Sequence, residues 1–159
     1  PEEFDYVVEP DVFHDLFGHV PLLFNPVFAD YMQAYGAGGL KASRLEACEY
    51  LARLYWYTVE FGLIAPAAGL RAYGAGILSW AGELQHSVRS TEPQRLGFDL
   101  ERIMRTRYKI DSYQASYFVI DSFSQLFEAT APDFTPVYHR VGHAGEIEAG
   151  ARLPSDRVY

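Results

Sequence analysis

Residues 9–21 read Glu-Pro-Asp-Val-Phe-His-Asp-Leu-Phe-Gly-His-Val-Pro, and this stretch decides how the rest of the chain is interpreted. It places His14 and His19 five positions apart in apolar surroundings. Pro10 suits the first turn of a helix, where its missing N–H removes no hydrogen bond. We therefore predict a short helix over residues 11–18. Apolar residues at helical spacing predict its buried face: Val12, Phe13, Leu16 and Phe17.

Gly18 offers a way to bring the two histidines together. On a continuous α-helix of about 3.6 residues per turn, residues five apart point in different directions. Glycine can adopt the left-handed conformation that ends a helix, and Pro21 disfavours its continuation. We predict a helix that ends at Gly18 and a turn that brings His19 back towards His14. The alternative is two core histidines with satisfied hydrogen bonds. The spacing differs from the His-Glu-x-x-His motif of zinc proteases.

Glu60 is a lone carboxylate in the aromatic run Tyr-Trp-Tyr-Thr-Val-Glu-Phe-Gly-Leu at residues 55–63. A buried carboxylate is costly unless a cation, a hydrogen-bond network or a metal compensates its charge. Two histidines and one carboxylate form the facial triad of non-haem Fe(II) oxygenases. Zinc hydrolases use the same residue types, so the residues alone leave the metal open. An ion pair with Arg53 or Arg71 is the alternative for Glu60.

The composition is that of a globular protein. The 159 residues are 49% apolar and 16% aromatic, which suits one domain with its own core. The net charge of −8 argues against a nucleic-acid or anionic-membrane partner. No apolar run reaches the length of a membrane span, and we see no secretory signal. The single cysteine, Cys48, excludes an internal disulfide and predicts a cytoplasmic location.

Helical spacing dominates the chain, and we predict a mainly α fold with a few short β-strands. Asn25 and Pro26 are expected to begin a helix that the glycines at 36, 38 and 39 end. Ser43 and Glu46 form a capping box for the next helix. Further helices are predicted at 77–88, 99–106 and 122–130. We predict short strands at 6–8 and 108–110, a buried strand or loop at 117–120, a hairpin or tight loop at 67–76, and a polar loop at 90–97.

The end of the chain is rich in glycine, proline and alanine, and we expect residues 132–159 to be poorly ordered. We divide the chain into a catalytic domain at 1–140 and a tail at 141–159. The tail has no heptad pattern that would support a coiled coil, and we expect a monomer.

Three motifs, in this order, resemble the catalytic domain of the pterin-dependent aromatic amino acid hydroxylases. They are residues 9–21, the run Tyr-Trp-Tyr-Thr-Val-Glu-Phe-Gly at 55–62, and Tyr-Gly-Ala-Gly-Ile-Leu-Ser at 73–79. Residues 25–32 and 98–102 resemble the bacterial members of the family that hydroxylate phenylalanine. The resemblance covers residues 1 to about 140. The family's catalytic domain extends upstream of this match, so we expect it to be N-terminally incomplete here.

The resemblance implies a mononuclear Fe(II) held by His14, His19 and Glu60. It implies a tetrahydropterin as cosubstrate and O₂ as oxidant. The implied reaction is hydroxylation of an aromatic amino acid, with L-phenylalanine as substrate and L-tyrosine as product. The protein would position and shield these groups, while the metal and cofactor carry the chemistry.

Further roles follow from the resemblance, each beside an ordinary alternative. The implied positions are Asp15, Ala52 and Tyr55 at the pterin, and Pro10, Trp56, Phe61 and Ser79 at the amino acid substrate. The alternatives are a capping or solvent-facing carboxylate and plain core packing, and Ser79 can also orient His14. Trp80 follows Ser79 where the family has a small or polar residue, so it either narrows the substrate site or faces the core.

Two other functions stay open. A zinc hydrolase would use the same three ligands, with Glu83 or Asp15 as the base. A truncated, non-catalytic relative would keep the fold and lack the upstream part of the pocket.

Overall fold

The computed structural model describes residues 12–159 of the protein. The predicted strand at 6–8 and the substrate position Pro10 lie outside this range. The helices are a first π-helix at His14–His19, α1 at Val20–Leu23, α2 at Pro26–Arg44, α3 at Cys48–Tyr55, a second π-helix at Trp56–Glu60, α4 at Ala75–Ser79, α5 at Ala81–Arg89, α6 at Leu100–Arg105, α7 at Phe123–Thr130 and α8 at Thr135–His143. The strands are β1 at Leu63–Ile64, β2 at Arg71–Ala72, β3 at Gln94–Gly97 and β4 at Ser116–Ile120. The predicted mainly α fold with a few short strands is confirmed.

The sheet has the strand order β2-β1-β4-β3. Strand β4 is buried along its whole length and pairs in parallel with β1 and β3. Strand β2 pairs antiparallel with β1, and Gly69 in their connection has a φ of +103°, a conformation that suits glycine. Of the two predicted possibilities at 117–120, a buried strand or a loop, the strand is therefore found. Of those at 67–76, a hairpin or a tight loop, the hairpin of β1 and β2 is found. Among residues 12–159, no helix is long and apolar enough to cross a bilayer.

One loop prediction and one strand prediction are wrong. The expected polar loop at 90–97 contains β3, whose residues read Gln-Arg-Leu-Gly. Its backbone pairing with β4 and hydrogen bonds from Arg95 to the Ser87 and Ser90 carbonyls stabilise a strand that has little apolar character. Residues 108–110 form no strand. There Tyr108 instead stacks on Trp56, with ring centroids 4.4 Å apart.

The expected end of α2 at its glycines is also wrong. The helix begins where predicted, because the Asn25 side chain accepts hydrogen bonds from the amides of Val27 and Phe28. It then continues through the glycines to Arg44. A glycine costs a helix only about 1 kcal/mol. Contacts at and beyond the glycines offset that cost, because Ala42 is buried and the Tyr138 hydroxyl donates to the Gly38 carbonyl at 3.1 Å.

The predicted capping box at Ser43 and Glu46 does not begin a helix. Ser43 lies in the last turn of α2, and α3 starts only at Cys48. Between them, Glu46 has a φ of +54°, which breaks the helical path. The second π-helix follows α3 directly and ends at Glu60. Trp80 has extended backbone and separates α4 from α5, so the predicted helix at 77–88 is two helices.

The segment at 132–159 has more order than expected. It contains α8, whose Val137, Tyr138 and Val141 are buried in the core. Beyond α8, the Asp156 carboxylate accepts hydrogen bonds from the buried Arg102 at 3.0 and 3.3 Å. The expectation of poor order is therefore wrong for α8, while the division into residues 1–140 and 141–159 stays a prediction.

The helices predicted at 99–106 and 122–130 are confirmed as α6 and α7, each capped by the residue before it.

The first helix does not end at Gly18. The first π-helix continues directly into α1, and Pro21 lies in the first turn of α1, where a proline is tolerated. The reason for glycine is close packing, because a Cβ on Gly18 would lie 2.7 Å from the Ala75 Cβ of α4. The predicted apolar face is also wrong, since Phe17 is 61% exposed and Phe13 stacks on it at 4.6 Å.

Gly18→Ala tests the contact between the first π-helix and α4. We expect the added methyl group to lower the free energy of unfolding by about 1–3 kcal/mol, the usual cost of overpacking. Gly36→Ala is the matched control, because nothing lies within 4 Å of a Cβ built at Gly36 in α2. It should raise the free energy of unfolding by up to about 1 kcal/mol. Urea unfolding curves measure both, and equal effects would contradict the close packing at Gly18.

Candidate metal centre

The first π-helix brings His14 and His19 together. Hydrogen bonds of a π-helix join residues five apart in the chain, so residues at this spacing lie one above the other. The two Nε2 atoms are 2.8 Å apart, and the rings meet edge to face at an angle of 77°. The two histidines therefore converge through a wide helical turn, and not through the predicted glycine break.

The second π-helix places Glu60 against this pair. The Glu60 carboxylate oxygens lie 3.2 Å from the Nε2 atom of His19 and 3.6 Å from that of His14. The Phe61 amide donates to the Trp56 carbonyl at 2.8 Å, which closes the π-turn that carries Glu60. The suggested ion pair with Arg53 is wrong, because that guanidinium binds the carboxylates of Glu49 and Glu146.

Ser79 sets the tautomer of His14. The Ser79 hydroxyl donates to the Ala75 carbonyl at 2.8 Å, so its oxygen is left to accept from Nδ1–H of His14 at 2.9 Å. A neutral His14 with its proton on Nδ1 turns the lone pair of Nε2 towards His19 and Glu60. Metal-binding histidines are commonly held in this way by a hydrogen bond from their other ring nitrogen.

The negative charges around His19 favour the binding of a cation. The hydrogen bond to the Glu60 carboxylate is the largest cause of the raised pKa of His19; burial opposes it, and the negative charges of Glu60 and Asp15 add to the increase. A raised pKa means that the surroundings stabilise a positive charge on His19. A bound metal ion would take the place of that proton, because a histidine ligand must be deprotonated.

Two carboxylates lie near the imidazole pair. Asp15 is exposed, and one of its oxygens lies within 4.8 Å of the imidazole nitrogens. Glu60 is closer, and its side chain is only 15% exposed. Ligands bonded at about 2.1 Å to one ion lie roughly 3 Å apart, which the Glu60 distances match better. Two imidazoles and a carboxylate on one side of a site fit a divalent first-row metal with open coordination positions.

Of the implied pterin positions, Tyr55 lies beside His19 and Ala52 lies on the exposed surface of α3. The Tyr55 ring centroid is 6.5 Å from that of His19. Burial, followed by the charges of Glu60 and Asp15, raises the pKa of Tyr55 to about 12, so its hydroxyl keeps its proton at neutral pH. Ala52 lies on α3 and is exposed, which leaves it open to a ligand.

Two of the implied substrate positions, Trp56 and Phe61, form an aromatic wall at the two ends of the second π-helix. The rings of Trp56 and Phe61 are 4.7 Å apart, and Phe61 is buried. The Trp80 ring lies 5.9 Å from that of Phe61 and packs against the cluster that contains Phe61 and Ile77. Trp80 therefore contributes to the packing behind Phe61.

Ala75 is the site residue that sequence reasoning missed. Its Cβ packs against Gly18, and its carbonyl accepts from the Ser79 hydroxyl that orients His14. The small residues around it, Gly-Ala-Gly at 74–76, are the signal that could have indicated a close helix contact. Ala75 thus links the position of the first π-helix to the orientation of one of its histidines.

Glu83, considered as a hydrolytic base, lies elsewhere in the core on α5. Its Oε1 accepts hydrogen bonds from the Tyr117 hydroxyl and the Gln114 amide. Burial raises the pKa of Glu83, although those two hydrogen bonds oppose the increase. Glu83 is therefore a buried acceptor for Tyr117 and Gln114, on a different helix from the imidazole pair and Glu60.

Comparison with known proteins shows the family of this chain. Residues 2–136 match the family described as biopterin-dependent aromatic amino acid hydroxylase. The chain therefore belongs to that family.

The relatives include two bacterial enzymes and a solved structure. The phenylalanine-4-hydroxylases of Ralstonia nicotianae and Chromobacterium violaceum are each 63% identical over 158 residues, which is 99% of this chain and 50% and 53% of theirs. The crystal structure of the Chromobacterium violaceum phenylalanine hydroxylase bound to cobalt is similar with a TM-score of 0.96 and 62% identity. That match covers 100% of this chain and 57% of the other. The chain thus spans about half the length of the curated relatives it matches.

Ser79→Ala tests the orientation of His14. Loss of the Nδ1 partner should weaken Co(II) affinity by roughly 10- to 100-fold, the usual effect of removing such a partner. Ser87→Ala is the matched control, because the buried Ser87 hydroxyl donates only to the Leu84 carbonyl within α5. It should leave Co(II) affinity unchanged. Anaerobic titration calorimetry measures both, and equal affinities of the two variants would contradict the role of Ser79.

Proposed function

We propose that this chain carries the metal centre of a tetrahydropterin- and O₂-dependent hydroxylase that converts L-phenylalanine to L-tyrosine. The observation that carries the proposal is the convergence of His14, His19 and Glu60, whose donor atoms lie 2.8 to 3.6 Å apart. Membership of the biopterin-dependent hydroxylase family supports it. The names of the relatives support phenylalanine as the substrate.

In this proposal His14, His19 and Glu60 hold Fe(II) and leave coordination positions open for oxygen and water. Iron together with a reduced pterin supplies the activation of O₂, which no protein side chain can provide. The cobalt-bound structure of the Chromobacterium violaceum relative supports a divalent ion in this fold. The chain's own contribution is to orient the three ligands and to shape the space beside them.

The residues around the triad divide that space into two sides. Tyr55, Ala52 and Asp15 line the pterin side, and the protonated Tyr55 hydroxyl donates a hydrogen bond to the Glu60 carboxylate. Trp56 and Phe61 form the wall on the amino acid side, and the substrate role of Pro10, which lies outside the described residues, stays a prediction. Aromatic walls exclude water from the reacting centre and so limit side reactions of activated oxygen. Ser79 acts indirectly, through the orientation of His14.

The two alternatives are less well supported. Of the two bases considered for a zinc hydrolase, Glu83 is buried and hydrogen-bonded to Tyr117, which leaves Asp15 alone beside the imidazole pair. A non-catalytic relative would be under no constraint to keep three donor residues in mutual contact. The monomeric state and the cytoplasmic location inferred from the sequence stay predictions.

Tyrosine formation tests the proposed function directly. The protein is loaded anaerobically with Fe(II), mixed with L-phenylalanine and a tetrahydropterin, and exposed to O₂. We expect L-tyrosine, quantified by chromatography, to form only when both iron and pterin are present. A zinc-loaded sample is the control. Stoichiometric iron without tyrosine, or tyrosine formed without pterin, would contradict the proposal.

Glu60→Gln and Asp15→Asn distinguish the two carboxylates, since each removes one charge and keeps the side-chain shape. We expect Glu60→Gln to abolish stoichiometric Fe(II) binding, because the amide is a weak ligand in place of a carboxylate. Asp15→Asn should keep the iron and raise the KM for the pterin. Iron content after gel filtration measures ligation. Full iron in Glu60→Gln, or its loss in Asp15→Asn, would reverse the assignment.

A further inference from the structure

We propose that Gln114 is a positioning residue that holds the indole ring of Trp56 in the wall of the amino acid site. The substrate role of Trp56 rests on the proposed function. The contact itself does not, because the Trp56 Nε1–H donates to the Gln114 Oε1 atom at 3.0 Å. Gln114 lies outside every motif that pointed to the site, in the loop before β4.

The orientation of the Gln114 amide is determined by its partners. Its Nε2 group donates to the carbonyl of Lys109 at 2.8 Å and faces that of Ser112 at 3.4 Å. Two carbonyls can only accept hydrogen bonds and an indole N–H can only donate one. The amide therefore has one satisfied orientation, with its oxygen towards Trp56. Because the Gln114 side chain is also buried, it is a fixed acceptor.

The main chain of Gln114 is anchored separately. Its amide donates to the buried Glu83 carboxylate at 3.3 Å, and its carbonyl accepts from the His86 ring at 3.2 Å. Both partners lie on α5. Gln114 is thus tied to α5 through its backbone and to the loop at 109–112 through its side chain, which leaves its Oε1 in a constant place.

The stacking contacts of Trp56 fix the plane of its ring more strongly than the position of the ring within that plane. Its ring stacks on Tyr108, with centroids 4.4 Å apart and planes at 16°, and leans on Phe61 at 32°. Stacked rings tolerate lateral offset and in-plane rotation at little cost. The indole N–H is the one polar group of Trp56, and a directional hydrogen bond from it removes that freedom.

Trp56 also begins the π-helix that ends at Glu60. Its ring therefore lies on the same wide turn as the proposed iron ligand, next to Phe61 on the amino acid side. Loss of the hydrogen bond should change the shape of the substrate wall without changing the ligands. The expected signature is a higher KM for phenylalanine, with normal iron content and a normal KM for the pterin.

Gln114→Met tests this inference, since methionine approximates the length of glutamine and cannot accept the indole hydrogen bond. We expect the KM for phenylalanine to rise roughly three- to tenfold, the effect of losing one such hydrogen bond. Thr130→Val is the matched control, because it removes a buried hydroxyl that donates only to the Leu126 and Phe127 carbonyls within α7. It should leave both KM values unchanged.

A double-mutant cycle shows whether Gln114 acts through Trp56. In a Trp56→Phe background the indole N–H is absent, so Gln114→Met should cause no further rise in KM. An equal rise in both backgrounds would overturn the inference, as would loss of iron together with the rise in KM.

Indole N–H exchange in the unmodified protein gives a test that needs no folded Gln114 variant. Trp80→Phe assigns the two tryptophan signals in a ¹⁵N spectrum, and we expect the Trp56 indole proton to exchange slowly. Rapid exchange would overturn the hydrogen bond and the inference with it. An unmodified protein that forms no tyrosine would overturn the proposed function and the substrate role of Trp56. Normal tyrosine formation with an unchanged KM in Gln114→Met would overturn only the present inference.

Discussion

The metal centre depends on two π-helical turns, in which each hydrogen bond spans one residue more than in an α-helix. His14 and His19 face each other only because the first π-helix joins residues five apart, and the second π-helix carries Glu60 to the same point. Single π-turns are rare and frequently occur at functional sites. They have weaker hydrogen-bond geometry than an α-helix, so other contacts must stabilise them. At the first turn that contact is the packing of Gly18 on Ala75.

The same small region of the molecule fixes the chemistry of the ligands. Helix α4 supplies Ala75 to hold the first π-helix and Ser79 to fix the proton on Nδ1 of His14. The Glu60 carboxylate raises the pKa of His19 and makes the centre attractive to a cation. Packing, hydrogen bonding and charge therefore favour one arrangement of three donor atoms. On the amino acid side, Gln114 extends this preorganisation to the aromatic wall.

The donor residues could be recognised from the sequence, and the path of the backbone between them could not. Glu60 is conspicuous because a carboxylate in an aromatic run requires compensation, and the paired histidines provide it. The role of Gly18 could not be read locally, because it depends on Ala75, 57 residues further along the chain. The end of α2 and the strand β3 are predicted wrongly for the same reason. Contacts with distant residues let α2 continue through its glycines, and pairing with β4 makes β3 a strand. Gln114 has no periodicity or motif around it, and only its partners reveal its role.

X-ray absorption at the iron K-edge tests the central claim most directly. Outer-shell scattering from imidazole rings counts the histidines bound to iron in the Fe(II)-loaded protein. Convergence of the two π-helices predicts two imidazole ligands, with the remaining ligands being oxygen atoms that include one carboxylate. A spectrum that requires one imidazole, or none, would show that His14 and His19 do not bind the metal together and would contradict the account.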